Sequence, residues 1–146
     1  MQIEIQIDEA QKEPKLIIRT DRMTEEIAAL MKRLSGEIPR GIAGFRDGTA
    51  VLLDQAELIR VYAAGGKVYA VTDRGEYLVR LRLYELEERL DKRAFVRISN
   101  SEIIHLKRVR SFDLSFAGTI CVCLDNGTAA YVSRRYVARI KQTLGI

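Results

Sequence analysis

The side chains best placed to do chemistry in this sequence are cationic. Lys107, Arg108 and Arg110 follow a β-like run, and Arg134, Arg135, Arg139 and Lys141 fall on what reads as a terminal helix. Both clusters lie within residues 92–146, which carry ten Lys or Arg against three Asp or Glu; residues 1–91 carry fourteen against seventeen. The formal net charge of +4 is therefore the sum of a segment of +7 and one of −3. Such an asymmetry sets up a field suited to a polyanion, and nucleic acid is the first candidate. Arg134 and Arg135 sit in the first turn after Ser133, read as a helix N-cap directly beyond a strand. A helix start offers backbone N–H groups to a phosphate, and an arginine there can reach a base edge through two parallel hydrogen bonds.

Other chemistry finds little support. The single histidine, His105, follows Ile103-Ile104 and precedes the basic cluster. It reads either as a partly buried polar residue at a strand edge or as a hydrogen-bonding group held near nucleic acid beside Lys107 and Arg108. Cys121 and Cys123 are two apart in an apolar run, so on a strand they share a face; they read as structural thiols of a reducing compartment. One imidazole and two such cysteines furnish no metal site. Gly65-Gly66 reads as a hairpin rather than a nucleotide-binding glycine fingerprint, and Glu85, Glu87 and Glu88 read as a solvated helix face. We expect no catalytic residue, no cofactor and no small-molecule substrate.

The elements that must position these groups are mostly strands. Ile3, Ile5 and Ile7 alternate with Glu4, Gln6 and Asp8 as in a half-buried strand, and Lys15 to Arg19 reads as a second. Met23, Ile27, Leu30, Met31 and Leu34 then form one helical stripe, ended by Ser35-Gly36. This ββα unit, residues 1–37, is expected to pack on the remainder or to dimerise, with a boundary between Gly36 and Gly41. From Ile42 the pattern is predominantly β: strands at 42–45, 51–53, 58–63, 67–72, 76–79, 95–98, 120–124 and 129–132, with a short helix over Tyr84 to Leu90 and a final helix after Ser133. The fold class is α+β, predominantly β. With 47% apolar and 30% charged residues, and no apolar run approaching the ~20 needed to span a bilayer, the chain reads as globular and cytoplasmic.

Three stretches, "FVRISNSEIIHLKRVRSF", "CLDNG" and "YVSRRYVARIKQTLG", occurring in that order behind "LRLYELEERL", resemble the LytTR DNA-binding domain family over residues 38–146. The resemblance implies elongated antiparallel β-sheets with short helices, in a bacterial transcription regulator whose loops enter successive major grooves. It also implies binding to direct-repeat sites in double-stranded DNA as a homodimer. Carried over by position, the base-reading arginine falls on Arg135 and a DNA-contacting loop on Gly66-Lys67. A common asparagine falls on His105, and a common His-Arg pair is replaced by Ser99-Asn100. Tyr131 and Ser133 fall where backbone contacts are made. Phosphate anchoring is expected from Lys107, Arg108, Arg134 and Arg139. About forty residues precede this part, too few for a phospho-accepting receiver domain. The rival expectation is a protein-interaction module on the same scaffold that titrates a partner regulator.

Overall fold

The computed structural model describes residues 1–37 and 41–146, so the boundary expected between Gly36 and Gly41 lies largely outside the described residues. Helix α1 spans Glu25–Glu37. The strands are β1 (Gly41–Arg46), β2 (Thr49–Asp54), β3 (Arg60–Ala64), β4 (Lys67–Thr72), β5 (Gly75–Val79), β6 (Phe95–Ser99), β7 (Glu102–His105), β8 (Val109–Asp113), β9 (Ile120–Leu124) and β10 (Ala129–Val132). Helix α2 (Leu83–Arg89) falls between β5 and β6, and α3 (Arg134–Leu144) follows β10.

Seven strands form one sheet in the order β2-β1-β5-β4-β3-β7-β6, and three form a second in the order β10-β9-β8. Every pairing is antiparallel. Most links are tight hairpins, whose register the turns set. The β3–β4 turn is Gly65-Gly66, with φ of +58° and +77°. Two consecutive positive φ values are the geometry that matches strand twist in a two-residue hairpin, and glycine adopts them without a Cβ clash. Gly44 answers a different need. A Cβ there would lie 2.8 Å from Tyr77 Cβ, so β1 can lie this close to the Tyr77 ring only without one.

Two cores lie on opposite faces of the large sheet. On one face Leu53, Leu58, Val61, Tyr77 and Ile103 pack under Leu83, Leu86 and Leu90 of α2 and its C-terminal end. On the other face Ile59, Val96, Ile98 and Ile104 pack against Ile120, Val122, Leu124 and Val132 of the small sheet and Ile140 of α3. Neighbours Ile103 and Ile104 thus serve different cores. A strand buried on both faces reads as a continuous apolar run, not an alternating one.

The chain before α1 differs from expectation. Residues 1–24 form neither strand, and Ile3, Ile5 and Ile7 are 85–92% exposed. Alternation alone does not make a strand; it needs an edge to pair with, and none is engaged here. The helix of the expected unit does form. Thr24 Oγ1 accepts from the Ile27 N–H at 3.2 Å, Glu25 and Glu26 occupy the first turn, and Met31 is buried. A small apolar cavity of about 150 Å³ lies between Ala28 and Met31 on one side and Ala43 and Phe45 of β1 on the other.

Candidate nucleic-acid interface

Strand direction sorts the candidate residues into two groups. β3 runs toward the Gly65-Gly66 turn and pairs with β7, placing Tyr62 opposite Glu102. The Ala63 N–H donates to the Ser101 carbonyl at 2.8 Å, which seats the β6–β7 turn beside the β3–β4 turn. The start of α3 joins them: the Ser133 N–H donates to the Ile98 carbonyl at 2.9 Å, and the Tyr136 hydroxyl donates to Asn100 Oδ1 at 3.3 Å. Lys67, Asn100, Tyr131, Ser133, Arg134 and Arg135 therefore lie at one end of the molecule. The β8–β9 loop closes the same end, with Arg134 lying against Gly118 and Phe116 meeting the Tyr131 ring edge-on at 6.0 Å.

Arg97 is the buttress of this end. Its guanidinium donates to the carbonyls of Ser99 and Asn100 at 2.8 and 2.6 Å and to Glu87 of α2 at 2.8 Å. Three fixed acceptors hold both the turn and the arginine, so Asn100 is presented from a braced loop. Sequence reading passed over Arg97, although a single cation inside the apolar run Phe95–Ile98 was a signal. It also passed over Leu114 and Phe116, exposed apolar side chains on the β8–β9 loop.

The electrostatics of α3 run against its own dipole. Arg134 and Arg135 occupy the first turn with no acidic residue there, and Ser133, although in the N-cap position, makes no side-chain cap bond. Cations at a helix N-terminus are unfavourable by a few tenths of a kcal/mol each unless an anion is brought to them. Both arginines are exposed, and no ion pair holds either among the described residues. Lys67 is equally exposed at the start of β4. Arg139 lies farther along α3, lining a cavity of about 200 Å³ with Glu87, Glu88, Lys92 and Arg97, on the flank of this surface.

The remaining candidates lie at the other end, separated by the length of a strand such as β4, roughly 17 Å at ~3.3 Å per residue. His105 is 4% exposed. Its Nδ1 is 2.7 Å from the Leu58 carbonyl, and its ring stacks on Phe95 at 4.4 Å. The expectation of a DNA-facing group at His105 therefore gives way to a core role, because burial removes the ring from any external partner. Burial also lowers its proton affinity below the ordinary imidazole value, against the opposing pull of the Leu58 carbonyl.

Arg108 is corrected for a similar reason. Its guanidinium donates to Asp73 and to Asp125, each at 2.7 Å, tying the β4–β5 turn to the β9–β10 turn. Two carboxylates hold its charge, so it clamps the two sheets rather than waiting for a phosphate. Lys107 is exposed at this end, and Arg110 reaches the Asp125 carbonyl at 3.3 Å. Cys121 and Cys123 are free thiols on β9, and burial raises the Cys121 pKa.

Fold and site together define a class: two antiparallel sheets that offer a braced, basic set of turns at one end. Among the described residues no two α-helices are consecutive, so this surface is not a helix-turn-helix. The family model for the LytTr DNA-binding domain matches residues 48–145, and the chain belongs to the LytTR family of DNA-binding proteins. Its fold is that of the LytTr DNA-binding domain from a Bacillus cereus protein described as a methyl-accepting/DNA response regulator. That structure superposes with a TM-score of 0.71 at 20% identity, covering 73% of this chain and 98% of the other. Proteins from two strains of Staphylococcus aureus, named as HTH-type transcriptional regulators, are 26% identical over 147 residues, covering 100% of this chain and 99% of theirs. Family and relatives describe a DNA-binding regulator and not an enzyme. No helix among the described residues is long and apolar enough to cross a membrane.

Proposed function

We propose that the protein is a sequence-specific transcription regulator that grips double-stranded DNA with the end formed by the β3–β4 turn, the β6–β7 turn and the start of α3. The observation that carries this is the pair Arg134 and Arg135, exposed, without carboxylate partners and set in a helix turn whose dipole repels them. A phosphodiester backbone supplies the missing anion. Arg135 reads a base edge in the major groove, with guanine the natural acceptor of a bidentate guanidinium. Lys67, lifted by its glycine turn, reads or anchors in the adjoining groove. Arg134 and Arg139 hold phosphates, and Tyr131, Ser133 and Asn100 position the backbone. The family resemblance supports binding to direct-repeat sites by two copies.

Selection of bound sites from a random duplex pool, followed by titration of Arg135→Ala, tests the reading. The substitution is expected to cost about 1–3 kcal/mol on the selected site and little on a scrambled duplex. Equal losses on both duplexes would remove the base-reading role from Arg135. Failure to enrich any site would favour the rival, a module that binds and titrates another regulator.

A further inference from the structure

Among the described residues four strands form the edges of the two sheets, and three of them are closed to further pairing by ordinary means. Edge strand β6 lies against α3, its Ile98 carbonyl is taken by the Ser133 N–H, and its pairing slips between Arg97 and Ser99. Edge strand β8 carries a register shift between Val109 and Ser111, with Arg110 and Asp113 along it. Edge strand β10 is only four residues long. These are the devices by which proteins blunt sheet edges: cover, bulges, charge and brevity.

Among the described residues β2 has no bulge, no charge before its last residue and no strand beyond it. It runs for six residues, Thr-Ala-Val-Leu-Leu-Asp, in unbroken register with β1, and Asp54 at its end is its only charged residue. Among the described residues it pairs with β1 alone. An apolar edge of this length in unbroken register invites another strand.

The same molecule holds a segment built to be that strand. Residues 2–8 alternate Ile3, Ile5 and Ile7 with Glu4, Gln6 and Asp8, at a length that matches β2. The three isoleucines are almost fully exposed, and among the described residues the side-chain hydrogen bonds of residues 1–13 are all local, such as Gln6 to Glu4 and the Ala10 N–H to Asp8. The sheet face beside β2 is also incompletely covered. Ala50 and Leu52 stand opposite Phe45 and Ala43, which face α1, and Ile27, Leu30 and Leu34 of that helix are only half-buried. A strand added at β2 with its isoleucines on this face would lie under the open side of the α1 stripe, with Glu4, Gln6 and Asp8 on the opposite face.

We infer that residues 2–8 of one copy add as an edge strand to β2 of a second copy, the two chains exchanging arms reciprocally. A second copy is favoured because within one chain the arm stands free of the sheet while both features remain unsatisfied. Reciprocal exchange satisfies two arms and two edges at once and closes, whereas one-way addition leaves one of each open. The tether suits the task. Residues 9–24 contain no strand or helix, and sixteen residues span up to about 50 Å when extended. A tether of that reach leaves the two basic ends free to turn toward either a direct or an inverted repeat, so the exchange does not depend on how DNA is read.

The test uses the full chain without DNA. Sedimentation of the parent protein at tens of micromolar is expected to show a dimer. Ile5→Asp, placed where the side chain is exposed in the single chain, is expected to weaken dimerisation at least tenfold and to leave the thermal melt unchanged at dilutions where both proteins are monomeric. Ile5→Cys chains mixed with Ala50→Cys chains are expected to give a disulfide-linked pair on mild oxidation, absent when either variant is oxidised alone. A monomeric parent, an unaltered mass for Ile5→Asp, or no link in the mixture would overturn the inference. A double variant that links only within its own chain would do so too, by showing that the arm serves its own edge. DNA affinity plays no part in these readouts, so their failure leaves the interface assignment standing, and the reverse holds as well.

Discussion

At the scale of single residues, the cations divide by what already holds them. Arg108 and Arg135 look alike in sequence, each within a basic pair, yet one is fixed between Asp73 and Asp125 and the other faces solvent without a carboxylate. Arg108→Ala is accordingly expected to lower stability, by of order 1 kcal/mol for a partly exposed double ion pair, while leaving DNA affinity nearly unchanged. Paired denaturation and binding titrations read both quantities. His105 makes the complementary point. Burial lowers its folded-state pKa from the ordinary 6.5, while Lys107 and Arg108 push the same way and Asp125 opposes them. The unfolded chain therefore takes up this proton first as pH falls. The His105 contribution to stability is complete above about pH 6.5, declines below it, and is spent once pH passes the lower folded-state value. Comparing stability against pH for the parent and His105→Asn isolates the effect, and the parent should show the steeper loss below pH 6.5. Identical profiles would mean that the ring is not held neutral by the core.

Elements were legible where one face met water. β4 begins and ends where its alternation begins and ends, over Lys67–Thr72, and α3 follows Ser133 and stops at Gly145, whose φ of +73° closes it. β7 was legible only as a β-like run before Lys107, without bounds, because Ile103 and Ile104 are buried in different cores and leave no period-two signal. β8 was missed for the opposite reason: Val109–Asp113 is a mostly exposed edge strand, held by pairing to β9 rather than by an apolar face. Residues 2–8 show the reverse failure, a clear alternation that pairs with no strand among the described residues. Of the site, the α3 arginines and the glycine turn could be read directly, but their separation from Lys107 and Arg108 could not, since it depends on which way β3 and β7 run. The α1 stripe is graded in the same way. Met31 is buried and Leu30 half-buried, so Met31→Asp should cost about 2–5 kcal/mol in chemical denaturation and Leu30→Asp clearly less. Equal costs would place the helix in a different rotation about its axis.

For the whole molecule, the +7 carried by residues 92–146 is a misleading guide, because the fold spreads those charges over two ends. One end presents Lys67, Arg134 and Arg135 around braced turns; the other presents Lys107 and Arg110 around the Arg108 clamp. Counterion release makes the difference measurable. If Lys67, Arg134, Arg135 and Arg139 each neutralise one phosphate, log affinity should fall against log salt with a slope of magnitude about 4 per bound chain, at about 0.9 per phosphate. The most direct test compares two doubly substituted proteins on one duplex across a salt series. Arg134→Ala with Arg135→Ala should lower affinity by at least tenfold at low salt and reduce the slope by about two. Lys107→Ala with Arg110→Ala, which removes the same formal charge from the opposite end, should leave both affinity and slope nearly as they were. Equal losses from the two pairs, or a larger loss from Lys107 and Arg110, would contradict the assignment of the α3 end as the DNA-binding surface.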